Sequence, residues 1–297
     1  MKHCRSVLVL LMAIWPFTLT AQRVIPDDNL GYPVRINLND CISPITSVTG
    51  SGFFLNTGPL LYLVTARHVL FNESERRQTG QVRSPQCNKA ELLSYSRDPK
   101  DTHQNRFQLD LRALSGTGKV KAHATRDIAV VEIGTSHQEG AEGNYSITFG
   151  SGVQVIDLSP SGIVNAGIGS LKKFDEVFIA NDVYVLGYPS SIGLQQLPQI
   201  DYDRPLLRRG IVAGTNNSTK TIVLDGLMFF GNSGGPVLQV VPVSFSSRFD
   251  IIGVISQYVP VTETWTNATM NYSYFQVHNS GYSVAESMDA VLELVGK

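Results

Sequence analysis

The sequence predicts an all-β protein that ends in one helix. Short apolar segments recur along the chain, separated by turns rich in Gly, Pro, Asn and Ser. Strands of that length and spacing pack as a sandwich or as barrels. Near the end the pattern changes: Val284, Met288, Val291, Leu292 and Val295 fall on one helical face. The composition supports a sizeable core, with 42% hydrophobic and 16% charged residues in a chain of 297.

In chain order, Lys2 and Arg5 precede an apolar run over 7–15 that Pro16 ends. This reads as a secretory signal peptide cut after Ala21, which places the mature protein outside the cell or in the periplasm. An uncleaved anchor is the alternative. No later apolar stretch is long enough to span a bilayer, so no stable membrane span is expected after signal removal. Residues 22–40, with Pro26 and Pro33, read as an extended lead-in. A strand entered through Gly50 and Gly52, a turn over 56–59 and a second strand over 60–65 form a hairpin that delivers His68. Residues 71–119 are polar, with strands expected over 90–95 and 106–113. Asp127 then opens a strand whose apolar residues run almost without a break, as in a strand buried on both faces. The Gly-, Ser- and Asn-rich stretch 141–175 reads as a crossing between two halves. Strands over 177–180, 183–186, 209–213, 221–224, 237–243 and 249–256 follow, and then the helix over 284–295. The expected organisation is a signal peptide at 1–21, a lead-in and first half at 22–140, the crossing at 141–175, and a second half with the helix at 176–297.

Cys4 leaves with the signal, so Cys41 and Cys87 form an even pair in an exported chain. That is compatible with a disulfide, two separate thiols being the alternative. The formal net charge of -1 gives no basic excess for nucleic acid. No His or Cys pair has zinc-ligand spacing, so no metal or other cofactor is expected.

Gly231-Asn232-Ser233-Gly234-Gly235-Pro236-Val237 makes a tight loop in which glycines take angles closed to other residues. Such a loop can hold one hydroxyl outward and aim its own N–H groups at a common point. That arrangement suits acyl transfer by a serine nucleophile. Taken alone, the string also fits a surface turn. His68 at a strand end and Asp127 at a strand mouth supply a base and an orienting acid. His103, His123, His137 and His278 lie in polar stretches, and Asp182 and Asp225 open no long buried strand.

The order His, Asp, Ser and the flanking residues add a resemblance. Thr65-Ala66-Arg67-His68-Val69, Arg126-Asp127-Ile128-Ala129-Val130-Val131 and the Ser233 loop resemble the three motifs of trypsin-like serine proteases. Gly253-Val254-Ile255-Ser256 is similar to the strand beside their substrate cleft. The resemblance spans about residues 46–295. It implies two six-stranded antiparallel β-barrels of chymotrypsin type with the site between them. It also implies that His68 is the base, Asp127 holds its tautomer, Ser233 attacks, and the N–H groups of Gly231 and Ser233 form the oxyanion hole. Ser256 is implied to hydrogen-bond Asp127.

Asn232 stands where digestive enzymes carry the Asp that pairs with a freed N-terminus, so no activation of that kind is expected. In this the chain is similar to the bacterial HtrA-like branch, here without a PDZ domain, since only about sixty residues follow Ser233. Leu227 is implied at the base of the primary pocket and Tyr258 at its entrance, which favours an apolar side chain over Lys or Arg. The resulting expectation is an exported serine endopeptidase acting on protein or peptide substrates. A non-catalytic peptide-binding or chaperone-like module on the same fold is the alternative. An α/β-hydrolase esterase is disfavoured, because its order is Ser, acid, His.

Overall fold

The computed structural model describes residues 25, 27–42, 47–74, 76, 84–96, 98, 101, 103–139, 144–190, 197–243 and 246–297. The expected signal peptide at 1–21 lies outside the described residues. None of the described helices is long and apolar enough to cross a membrane.

The first half is one sheet of ten strands. They are β1 (Pro33–Cys41), β2 (Val48–Asn56), β3 (Leu60–Thr65), β4 (Cys87–Tyr95), β5 (Gln104–Asp110), β6 (Val120–Ala122), β7 (Ala129–Glu139), β8 (Asn144–Phe149), β9 (Val153–Asp157) and β10 (Ala166–Gly167). Six of them run in the spatial order β7-β3-β2-β1-β4-β5. The end strands pair with others rather than with each other: β7 takes β6 and β8, and β5 takes β9. The second half is a closed six-stranded barrel in the order β11-β12-β13-β16-β15-β14. Its strands are β11 (Asp182–Gly187), β12 (Leu206–Asn216), β13 (Thr221–Asp225), β14 (Pro236–Val243), β15 (Ser246–Asn267) and β16 (Tyr272–Ser287). A helix over Met288–Val295 follows. The architecture is chymotrypsin-like, with the first unit open and widened.

Side-chain alternation explains why the first-half strands are apolar on both faces. Phe54, Leu61, Leu63 and Val131 point into the first unit, together with Val34, Ile36 and Phe107. Their neighbours Phe53, Leu55, Tyr62, Val64 and Val130 point the other way. There they meet Leu186, Leu238, Ile251 and Val254 of the second unit, with Met288, Val291 and Leu292 of the helix. Two-residue periodicity thus splits each strand between a barrel interior and the seam. Each fully buried side chain of this kind contributes about 1.5–3 kcal/mol.

Several elements differ from expectation for local reasons. The supposed lead-in contains β1, which pairs with both β2 and β4. The strand expected over 106–113 stops at Asp110, whose carboxylate accepts the Ala113 N–H and starts a helix over Leu111–Gly116. Residues 177–180 form no strand. They follow a 3-10 turn over Phe174–Glu176, where the Glu176 carboxylate accepts the Lys173 N–H. The helix begins at Met288 and not at 284, because 283–286 pair with β13. It packs on the seam, not on the second half alone. Within 141–175, β8 and β9 pair with first-half strands. Cys41 and Cys87 lie opposite each other on β1 and β4 and are joined by a disulfide.

Candidate active site

His68 sits in a single helical turn, Arg67–Leu70, just past β3. The turn is fixed by a neighbour. Arg67 is 2% exposed, yet its guanidinium is fully engaged. Its Nε and Nη2 donate to Glu73, and its Nη1 donates to the carbonyls of His123 (2.5 Å) and Ala124 (3.3 Å). It thereby ties the His68 turn to the loop that carries Asp127. The main chain adds a second tie, from the Arg67 N–H to the Asp127 carbonyl at 3.2 Å. Burial alone would raise the Glu73 carboxyl, but Arg67 and Arg76 hold it below the usual range.

Asp127 meets His68 twice. One carboxylate oxygen accepts the His68 backbone N–H at 3.0 Å, and the other lies 2.7 Å from Nδ1. Ser256 Oγ donates to that second oxygen at 2.8 Å. Burial disfavours the charge on both side chains. Their mutual bond and opposite charges outweigh it, so His68 is raised above an ordinary histidine and Asp127 is lowered below an ordinary carboxylate. With Nδ1 committed to Asp127, Nε2 is the nitrogen left for proton transfer.

The Ser233 loop is held from both halves of the molecule. Ser51 of β2 donates through Oγ to the Gly231 carbonyl (2.6 Å) and accepts the Tyr188 N–H (2.9 Å). Its own N–H donates to the Ser233 carbonyl at 2.8 Å. Gly231 and Gly234 both have φ of +89°, and a Cβ at Gly234 would collide with the Ser51 carbonyl and Thr65 Oγ1. Glycine is therefore required there on two counts.

The loop's amides are aimed by their own carbonyls. The Phe230 carbonyl accepts the Ser190 N–H (2.7 Å), and the Asn232 carbonyl accepts the Gly235 N–H (2.9 Å). In a trans peptide the C=O and the next N–H point in opposite directions. The N–H groups of Gly231 and Ser233 are thus turned away from those contacts, and neither has a partner among the described residues. Asn232 is buried, and its side-chain Oδ1 accepts the Phe229 N–H at 3.2 Å. It braces the loop from inside.

His68, Asp127, Ser233 and Ser256 line one cleft of about 1180 Å³. Ser233 Oγ donates to the Ser256 carbonyl at 3.5 Å, and no hydrogen bond joins it to His68 among the described residues. Such contacts are often long before substrate binds. Leu227, expected at the pocket base, is 47% exposed and does not line the cleft. Met228, one residue on, is 2% exposed and does, as do Phe229, Phe230, Ile255 and Tyr258. Tyr258 packs edge-on against Phe230 with centroids 5.6 Å apart. Two other candidates, His123 and Asp182, are used elsewhere. His123 binds Glu293 through Nε2 and accepts the Thr125 and Arg126 N–H groups at Nδ1. Asp182 pairs with Arg209. Among the described residues no cluster of His, Cys, Asp or Glu could hold a metal ion.

The residues that sequence reasoning missed act through long-range contacts. Ser51, Glu73 and Glu286 are examples. Glu286 of β16 binds Arg126 at 2.7 Å and accepts the Asp127 N–H at 3.4 Å. Only Arg67 and Arg126 carried a signal, as charged residues flanking His68 and Asp127.

Residues 50–241 match the family described as the trypsin-like peptidase domain. No curated protein matches the chain. Similar solved structures include the serine endoprotease from Yersinia pestis, at 13% identity and a TM-score of 0.46 over 92% of this chain and 67% of that one. The HtrA-type protease AlgW with a tripeptide is another, at 13% identity and a TM-score of 0.47 over 91% of this chain and 63% of that one. The chain thus spans about two thirds of the length of the solved structures it matches.

Proposed function

The chain belongs to the trypsin-like peptidase family, and on that premise we propose that it is an exported serine endopeptidase. The observation that carries this reading is the meeting of the His68–Asp127 pair and the Ser233 loop at one cleft. Ser233 Oγ attacks the scissile carbonyl carbon as its proton passes to His68 Nε2. Asp127 keeps the imidazole proton on Nδ1 and stabilises the imidazolium. The N–H groups of Gly231 and Ser233 hold the developing oxyanion. His68 then protonates the leaving amine, and water repeats the sequence on the acyl-enzyme. The basic start and apolar run of residues 1–21 support export.

The side chain before the scissile bond would rest on Met228, Phe229, Ile255 and Tyr258, a part of the cleft with no acid, which favours an apolar residue there. Cleavage profiling on a peptide library tests both parts. Turnover should fall by about four orders of magnitude or more in Ser233→Ala and in His68→Ala, and cuts should follow apolar residues. Undiminished cleavage by Ser233→Ala sinks the mechanism, and dominant cutting after Lys or Arg sinks the pocket assignment. Peptide binding by the folded wild-type protein without any turnover would favour the binding-module alternative.

A further inference from the structure

Strands β15 and β16 continue past the barrel as a two-stranded ribbon, paired from Pro260 with Asn279 to Asn267 with Tyr272. Among the described residues β14 follows β15 only to Val254, and β13 meets β16 only from Tyr282 on. The root of the ribbon is tied to the turn before Ser233, where Asn279 Nδ2 donates to the Met228 carbonyl at 2.6 Å. A ribbon without a covering layer is marginal on its own in water, and this one carries apolar groups all round. Trp265 and Tyr274 are directly opposite each other and share one face with Tyr272. Phe275 and Val277, opposite Thr264 and Thr262, occupy the other. Trp265 and Phe275 are each 65% exposed, and Met270 in the end turn is 78% exposed.

Charge and polar bonding change along its length. Glu263 and His278, 3.8 Å apart, lie towards the root. From residue 264 to residue 277 no side chain is charged. The polar groups of the tip bond one another: Asn267 Oδ1 accepts the Thr269 and Met270 N–H groups at 3.1 and 3.0 Å, and the Thr266 and Ser273 hydroxyls are 3.3 Å apart. A protein partner would cover one face or one edge. At about 200 Å² per aromatic side chain, Trp265, Tyr272 and Tyr274 offer one face roughly 350 Å², under half of the ~800 Å² that each partner gives to a stable interface. A lipid surface wraps both faces at once, and Trp and Tyr are the side chains that gather at the membrane–water boundary. Hydrocarbon does not tolerate the unpaired N–H and C=O groups on the outer edges of the two strands. The depth is therefore limited to the interfacial layer, and the Glu263–His278 pair marks its limit.

We propose that the distal ribbon, residues 264–277, is a membrane-docking hairpin that seats tip-first in the interface of a zwitterionic lipid surface. The lipid class follows from charge: no Lys or Arg lies between Arg248 and Lys297, so the ribbon has no cation to offer an anionic headgroup. The docking does not depend on whether Ser233 reacts. It does fix where the Ser233 cleft stands. At about 3.3 Å per residue the stretch from Ser256 to Asn267 spans roughly 35 Å, of which about 5–10 Å is immersed. The cleft is then held roughly 25–30 Å above the lipid, within reach of chains that lie on or emerge from the membrane.

Trp15 and Trp265 are the only tryptophans, so the full chain carrying Trp15→Phe reports on the ribbon alone. With phosphatidylcholine vesicles, Trp265 emission should shift to the blue. Lipids brominated near the headgroup end of the acyl chain should quench it more than lipids brominated near the chain terminus. Replacing Met270, Tyr274 and Phe275 together by Ser should lower the partition coefficient about ten-fold or more. Asn271→Asp, which puts a charge in the turn, should lower it as well. Binding should be indifferent to added salt. Vesicle binding that leaves Trp265 unquenched overturns the proposal, since the apolar run over 7–15 then carries it. Binding that requires anionic lipid and falls with salt overturns it too. So does an unchanged Trp265 spectrum, whether the chain stays single in sedimentation or self-associates in a way the triple variant loses, since in that second case the ribbon covers another copy of the chain.

Discussion

Burial draws the His68 imidazole towards its neutral form, and the Asp127 carboxylate at 2.7 Å draws it towards the cation. The second influence prevails, so the acid limb of kcat/KM against pH should lie above the ordinary histidine value of about 6.5. A limb at or below that value would contradict the account. The linked stability has a definite sign. A raised histidine contributes stability that is full below its unfolded value and lost as pH rises through the folded one. The lowered Asp127 contributes stability above its unfolded value, lost as pH falls through the folded one. Gly234 is the second residue with a sharp consequence. Gly234→Ala forces a Cβ against the Ser51 carbonyl at positive φ. It should destabilise the protein by about 2 kcal/mol or more and abolish reaction at Ser233, as read by thermal melts and probe labelling. At this scale the grouping of His68, Asp127 and Ser233 at one cleft was legible, because each sits in a short motif of fixed local form. Ser51 was not, because its role comes from contacts with residues 188, 231 and 233, far away in sequence.

The Arg67–Glu73 pair sets the behaviour of the His68 turn. Removing one member of a buried, hydrogen-bonded pair leaves the other charge uncompensated, at a cost of about 3–5 kcal/mol. Arg67→Met should therefore lower stability by that order. A double-mutant cycle with Glu73→Gln should show strong coupling, and additive effects would disprove the clamp. Strands β2, β3 and β7 were legible because apolar runs bounded by turns specify them locally. The helix start was not. Residues 284–287 carry helical spacing, but pairing of 283–286 with β13 and of 284–287 with β15 outweighs it. Likewise 177–180 look strand-like, yet they reach β12 and β14 through single bonds, Ala180 N–H to the Val212 carbonyl and Phe178 N–H to the Gln239 side chain, and build no ladder.

Across the whole molecule, the two units are joined by an apolar seam and by polar ties that end at the site: Arg126 to Glu286, His123 to Glu293 and Ser51 to Gly231. The seam was hinted at by strands apolar on both faces, but the open first sheet was not, since pairing of end strands leaves no local signature. The Cys41–Cys87 bridge closes a loop of 46 residues. Replacing both cysteines by Ala should cost about 4 kcal/mol of unfolding free energy in denaturant titration, on the chain-entropy view. We propose that these two units assemble a reactive serine at their junction. Fluorophosphonate labelling of the folded full chain, with the modified residue identified by mass spectrometry, tests it most directly. One adduct is expected on Ser233, lost in Ser233→Ala and strongly slowed in His68→Ala; folded protein that takes no label, or takes it on another serine, would show that the junction holds no such serine.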